Sequence, residues 1–122
     1  MNTKICTSLE QSKRLAEILP TESADMYYPH LGEGQYGETP RVGNISEMYS
    51  GKPDIPCWSL STLLDILPKQ IGRYTKSLYW FDEGWHCEYL DEDSEGKYGV
   101  SADNPIDACY EMIIKLKGQN IL

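Results

Sequence analysis

Residues 73–102 constrain the fold more than any other stretch of this chain. Two runs rich in aromatic and aliphatic residues, 73–81 and 85–90, flank Asp82-Glu83-Gly84, and a third, 97–102, follows the turn-rich DEDSEG. Strand-like runs separated by short glycine-containing turns read as a β-hairpin that continues into a third strand. Asn104, Pro105 and Asp107 come directly afterwards. They supply a helix cap, a proline whose missing N–H is no loss in a first turn, and a carboxylate at the positive end of the helix. Ile106, Cys109, Met112, Ile113 and Leu116 then fall on one face, Lys115 and Lys117 suit the negative end, and Gly118 is the expected terminator. An antiparallel sheet with one face to bury beside an amphipathic helix predicts an α+β fold.

The rest of the chain adds two helices. Thr7 and Ser8 each precede Glu10 or Gln11 by three residues, the spacing of a capping box, and Leu9, Ser12, Leu15, Ala16 and Leu19 form a narrow stripe before Pro20. Ser59 caps a second helix in WSLSTLLDILP, with Trp58 placed to staple onto Leu63 and with Leu60, Leu63, Leu64 and Leu67 as its buried face. Residues 24–28 read as a strand through their aromatics. Periodicity then disappears over residues 29–57, which hold five glycines and four prolines. Loops that long are either functional or conceal structure, and a short strand pair is expected near residues 42–49. The whole reads as a single α+β domain, residues 1–122. It has a three- or four-stranded, mainly antiparallel sheet with about three helices packed on it.

At 122 residues the chain is long enough to bury a core without metal or disulfide staples. Its MNTKICTSLEQSKR start lacks the apolar stretch of a signal peptide, and no run is long enough to span a membrane. Cysteines 6, 57, 87 and 109 are dispersed without a C-x-x-C pair, which predicts buried, reduced thiols and a cytoplasmic protein. Net charge is −8, and seven carboxylates lie between Lys76 and Lys97 with no basic residue among them. That acidic segment, residues 82–95, excludes binding to a nucleic-acid backbone, which requires clustered Lys and Arg. Nine tyrosines and three tryptophans against one phenylalanine favour half-buried positions and binding surfaces.

Three apparent motifs fail on context. Strand alternation sets His86 and Glu88 on one face and Trp85, Cys87 and Tyr89 on the other, so no His86–Cys87 dyad forms. His86 with Glu88 lacks the further ligands of a metal site. Residues 91–96 imitate the start of a calcium loop, but the twelfth position is Ala102, where a bidentate glutamate belongs. Gly32-Glu33-Gly34-Gln35-Tyr36-Gly37 matches a dinucleotide fingerprint, yet ETPRVGN follows where a helix must start.

The segments KICTSLEQSKRLAEILP with ESADMYY, IPCWSLSTLLDILP, and ADNPIDACYEMIIKL resemble short proteins of phages, prophages and the gut bacteria that carry them. The closing hairpin and helix are also similar, more weakly, to small phage proteins with an α-β-α sandwich. The resemblance covers roughly residues 1–28 and 55–117. It implies an accessory protein of a mobile element and carries over no catalytic residues and no cofactor.

These readings favour a non-enzymatic binding protein whose acidic hairpin patch, with Asp91 and Asp93, engages a basic surface of a host or phage protein. A second reading is a small-ligand binder with Tyr27, Tyr28, Trp58 and Trp80 as stacking residues and the glycine-rich loop as a lid. The third is a small metal-assisted hydrolase around His86. An exposed edge strand would make a homodimer easy.

Overall fold

The computed structural model describes residues 4–43 and 54–122, so the expected strand pair at 42–49 lies mostly outside the described residues. The α+β class is as expected. Among the described residues are three α-helices and three sheets, all of antiparallel strands. The chain divides into two compact units, Met1–Thr62 and Leu63–Leu122.

The first unit begins with α1 (Leu9–Ile18). Its capping box is complete: the Ser8 hydroxyl accepts from the Gln11 N–H, and the Gln11 side chain accepts from the Ser8 N–H at 2.9 Å. Leu15 and Ser12 are its buried positions. Ala16, expected on the stripe, is exposed, because only the narrow line through Ser12 and Leu15 faces inward. Then come β1 (Met26–Tyr28), β2 (His30–Gly32), β3 (Gln35–Tyr36), β4 (Arg41–Val42) and β5 (Ile55–Cys57). A three-stranded sheet has the order β4-β1-β5, and β2 and β3 form a separate hairpin. The fingerprint-like glycines belong to that hairpin. Gly32, Glu33 and Gly34 all have positive φ, a conformation glycine adopts freely, and a strand follows where a phosphate-binding helix would have to start.

Thr7, fully buried, ties this unit together. Its N–H donates to the Trp58 carbonyl (3.0 Å), and its hydroxyl oxygen accepts from the Trp58 N–H (3.1 Å) and contacts the Ser12 hydroxyl (2.7 Å). Its carbonyl accepts from the Tyr28 hydroxyl (2.8 Å). The start of α1, the end of β1 and the residue after β5 therefore meet on one side chain and its peptide groups. Asp25 makes the other polar anchor, accepting from the N–H (3.0 Å) and hydroxyl of Ser59, the residue before α2 (Leu60–Ile66).

The second unit is a meander, β6 (Gln70–Ile71), β7 (Tyr74–Phe81), β8 (Gly84–Leu90) and β9 (Gly96–Ala102), in that spatial order, with α3 (Pro105–Gly118) packed on β8 and β9. Cys87 and Tyr89 on β8 and Ile106, Ala108, Cys109, Met112, Ile113 and Leu116 on α3 are buried. Tyr89 donates to the Pro68 carbonyl (2.7 Å). The Lys76 ammonium donates to the Leu64 and Leu67 carbonyls, a cation at a helix C-terminus. Asn104 caps α3 through the Asp107 N–H (2.9 Å). At the other end Asn120, not Gly118, takes the left-handed conformation (φ 57°). The Ile121 N–H reaches the Leu116 carbonyl and the Asn120 N–H the Lys117 carbonyl, the paired bonds of a Schellman closure.

The Asp25 anchor has a pH signature. Burial pushes its carboxyl up, but the Ser59 and Thr62 hydrogen bonds outweigh it and hold the group below its ordinary 3.8. Its stabilisation is present above that value and is lost as pH falls through the lower folded one. Asp25→Asn is expected to lower stability by about 1 kcal/mol at neutral pH, allowing for solvent screening, and to flatten the loss of stability below pH 4. Urea denaturation at a series of pH values checks both.

Candidate functional site at the hairpin end of the meander

The turn joining β7 and β8 has a two-residue loop, as does the turn joining β6 and β7. Phe81 pairs with Gly84, leaving only Asp82 and Glu83 as the loop, so Gly84 starts a strand instead of completing the expected three-residue turn. Both loop residues have positive φ, 51° and 60°, the pattern of a type I′ turn. That turn favours Asn-Gly, because a left-handed residue with a side chain costs roughly 1–2 kcal/mol. Here both positions carry carboxylates.

The register follows from the turn. Trp80 pairs with Trp85, Leu78 with Cys87 and Lys76 with Tyr89 on the face that meets α3. Tyr79 pairs with His86 and Ser77 with Glu88 on the opposite face, which Phe81 shares. On that face the Tyr79 and His86 rings stack at 5.3 Å, and Phe81 lies 6.4 Å from His86. Partial burial and hydrogen bonding to Glu88 push the Tyr79 phenol above its ordinary value. Phe81 is 66% and Trp80 56% exposed, one ring on either side of the acidic turn. A shallow depression of about 390 Å³ is lined by Phe81, Asp82, Glu83, Gly84, His86, Ser101, Ala102 and Asp103. Three carboxylates line it and no lysine or arginine does.

The acidic segment is therefore not one patch. β8 runs between its two clusters and separates them by ~20 Å. At the far end Asp91 is a turn former: its Oδ1 accepts from the Asp93 and Glu95 N–H groups at 2.9 and 3.0 Å. Arg73 lies 4.0 Å from its other oxygen. Asp93 is exposed beside Asp91, Glu92 and Arg73 around a second depression of about 280 Å³. Charge at that end is partly offset by Arg73, whereas the hairpin end has no such offset.

The remaining candidates disperse. Tyr27, Tyr28 and Trp58 are 7%, 8% and 0% exposed, and they belong to the core of the first unit. Tyr28 uses its hydroxyl on the Thr7 carbonyl, and Trp58 donates its indole N–H to Ser23 (3.0 Å). His86 Nε2 lies 2.9 Å from the Phe81 carbonyl and thus carries the proton, with Nδ1 3.9 Å from Glu88 Oε1. His86 is hydrogen-bonded to backbone and not to a hydroxyl it could activate. Among the described residues no three His, Cys, Asp or Glu side chains are grouped to hold a metal ion. Phe81 and Asp103 were not singled out in the sequence, although strand alternation counted from a two-residue turn places Phe81 outward.

No protein family, curated protein or solved structure matches the chain. No helix among the described residues is long and apolar enough to cross a membrane.

The strained turn makes a direct prediction. Glu83→Gly removes a left-handed side chain and is expected to raise stability by about 1 kcal/mol. Equilibrium urea unfolding measures it, and a destabilised variant would remove strain from the account of this turn.

Proposed function

We propose that the chain is a non-enzymatic interaction protein that holds a basic segment of a partner protein at the hairpin end of its four-stranded sheet. The observation that carries this reading is the exposure of Trp80 and Phe81 on either side of Asp82 and Glu83, with Asp103 beside them and no basic side chain in the depression. Exposed aromatics supply apolar area and π faces for cations, and carboxylates pair with guanidinium in a two-point geometry. Two acids at positions where Asn-Gly would relax the turn are what a binding role asks for. The resemblance to phage and prophage proteins points to a host or phage protein as the partner and to the bacterial cytoplasm as the place of action. β9 is an edge strand, but Lys115 donates to its Gly99 carbonyl (3.2 Å) and Lys97 lies along it, charges that discourage strand pairing with a second copy.

Calorimetric titration with a deca-arginine peptide tests the site through a charge-matched control. Asp82→Asn/Glu83→Gln and Glu92→Gln/Asp93→Asn each remove two charges, one pair from either end of the sheet. The first pair is expected to weaken binding about tenfold, and Trp80→Ala/Phe81→Ala similarly, while the second changes it less than about twofold. Equal losses from the two acidic pairs would reduce the interaction to net charge and overturn the assignment.

A further inference from the structure

The four cysteines, dispersed in sequence, meet in pairs. Within the first unit Cys6 and Cys57 share one buried cluster with Met26 and Tyr28, and within the second Cys87 on β8 and Cys109 on α3 lie in the seam where those two elements pack. All four are buried. The two pairs differ in setting. Cys87 and Cys109 are held between β8 and α3, both fully buried. Cys6 lies in the short segment before α1, 3% exposed and next to Ile5, which is 55% exposed. That segment is joined to the Trp58–Ser59 corner by the single bridge of Cys6 with Ser59 and by the Thr7 bonds.

We propose that Cys6 and Cys57 are a redox-active dithiol that hydrogen peroxide closes into a disulfide, while Cys87 and Cys109 stay reduced. The surroundings of Cys6 favour its thiolate. Hydrogen bonding with Cys57 holds the Cys6 thiol down to about 7, and Cys109 lowers Cys87 in the same way, so what sets the pairs apart is exposure: Cys6 sits beside exposed Ile5, whereas Cys87 and Cys109 are fully buried. Tyr28 has one hydroxyl proton and lies within reach of both the Thr7 carbonyl (2.8 Å) and the Cys6 sulfur (3.7 Å). In the thiol state that proton goes to Thr7 and Cys6 S–H donates to the Tyr28 oxygen. Once Cys6 ionises, the hydroxyl can turn to the sulfur instead.

The chemistry balances with peroxide as oxidant. The Cys6 thiolate, its proton released to water, attacks one peroxide oxygen. The O–O bond breaks, and the departing hydroxide takes the Cys57 proton to form water. The new Cys57 thiolate attacks the Cys6 sulfenic sulfur and expels a second hydroxide, which recovers the proton first released. Two thiols and one peroxide become one disulfide and two waters.

Peptide mapping of the full, folded chain tests this after peroxide treatment, trapping of free thiols with N-ethylmaleimide, and digestion. The expected product links Cys6 to Cys57 and leaves Cys87 and Cys109 as trapped thiols. The rate should rise with pH about a midpoint near 7. Cys57→Ser is expected to halt at a Cys6 sulfenic acid that dimedone labels. Four free thiols at a peroxide dose that oxidises the urea-unfolded chain would overturn the proposal, as would a Cys87–Cys109 link formed first or a link between chains.

Discussion

A β-hairpin with a two-residue loop has no freedom in its register, and most of the second unit depends on that. A slip of one residue would turn every side chain of β7 and β8 to the other face. With Phe81 opposite Gly84, Cys87 and Tyr89 point to α3, and Tyr79, His86 and Glu88 are left on the outer face. The same register sets Trp80 and Phe81 on opposite sides of the turn at its end. Cross-strand pairing thus decides at once which residues form the core and which are presented. The turn holds this register with two side-chain-bearing residues in left-handed conformations, a local conflict of the kind that marks functional sites.

In the first unit the controlling constraint is polar. Thr7 cannot be buried with unpaired groups, since each orphaned donor or acceptor would cost about 1–3 kcal/mol. Satisfying its N–H, hydroxyl and carbonyl brings Trp58, Ser12 and Tyr28 to it. That network draws Tyr28 and Trp58 into the core. The unit needs their apolar bodies inside and has partners inside for the polar tips of Tyr28 and Trp58. The same network is also why Cys6, next to Thr7, sits against Cys57, next to Trp58.

What the sequence made legible was local. The Ser8 capping box, the Asn104–Pro105 helix start and the alternation that separates His86 from Cys87 depend on neighbours a few residues away. What it concealed depends on pairing at a distance. An acidic run looks like one patch until a strand through its middle carries its halves to opposite ends of a sheet. Cysteines separated by tens of residues look unrelated until strand and helix packing bring them together. Gly118 looked like the helix terminator, but Asn tolerates the left-handed conformation too, and the closure formed two residues later. The described strands within residues 29–43 and 54–57 are only two or three residues long, too short to show a periodicity. For the candidate site, the acids were legible at once. Trp80 was legible as an aromatic, but its place beside the turn, like the face of Phe81, needed the loop length.

The central claim is that recognition belongs to the hairpin end of the sheet and not to acidity in general. A backbone amide chemical-shift map of the isotope-labelled protein, recorded during titration with deca-arginine, tests it most directly. The account predicts shifts confined to residues 79–86 and 101–103, including the Trp80 indole, with the turn at residues 91–95 unmoved. Shifts of equal size at both ends of β8, or a silent Trp80 indole, would contradict it.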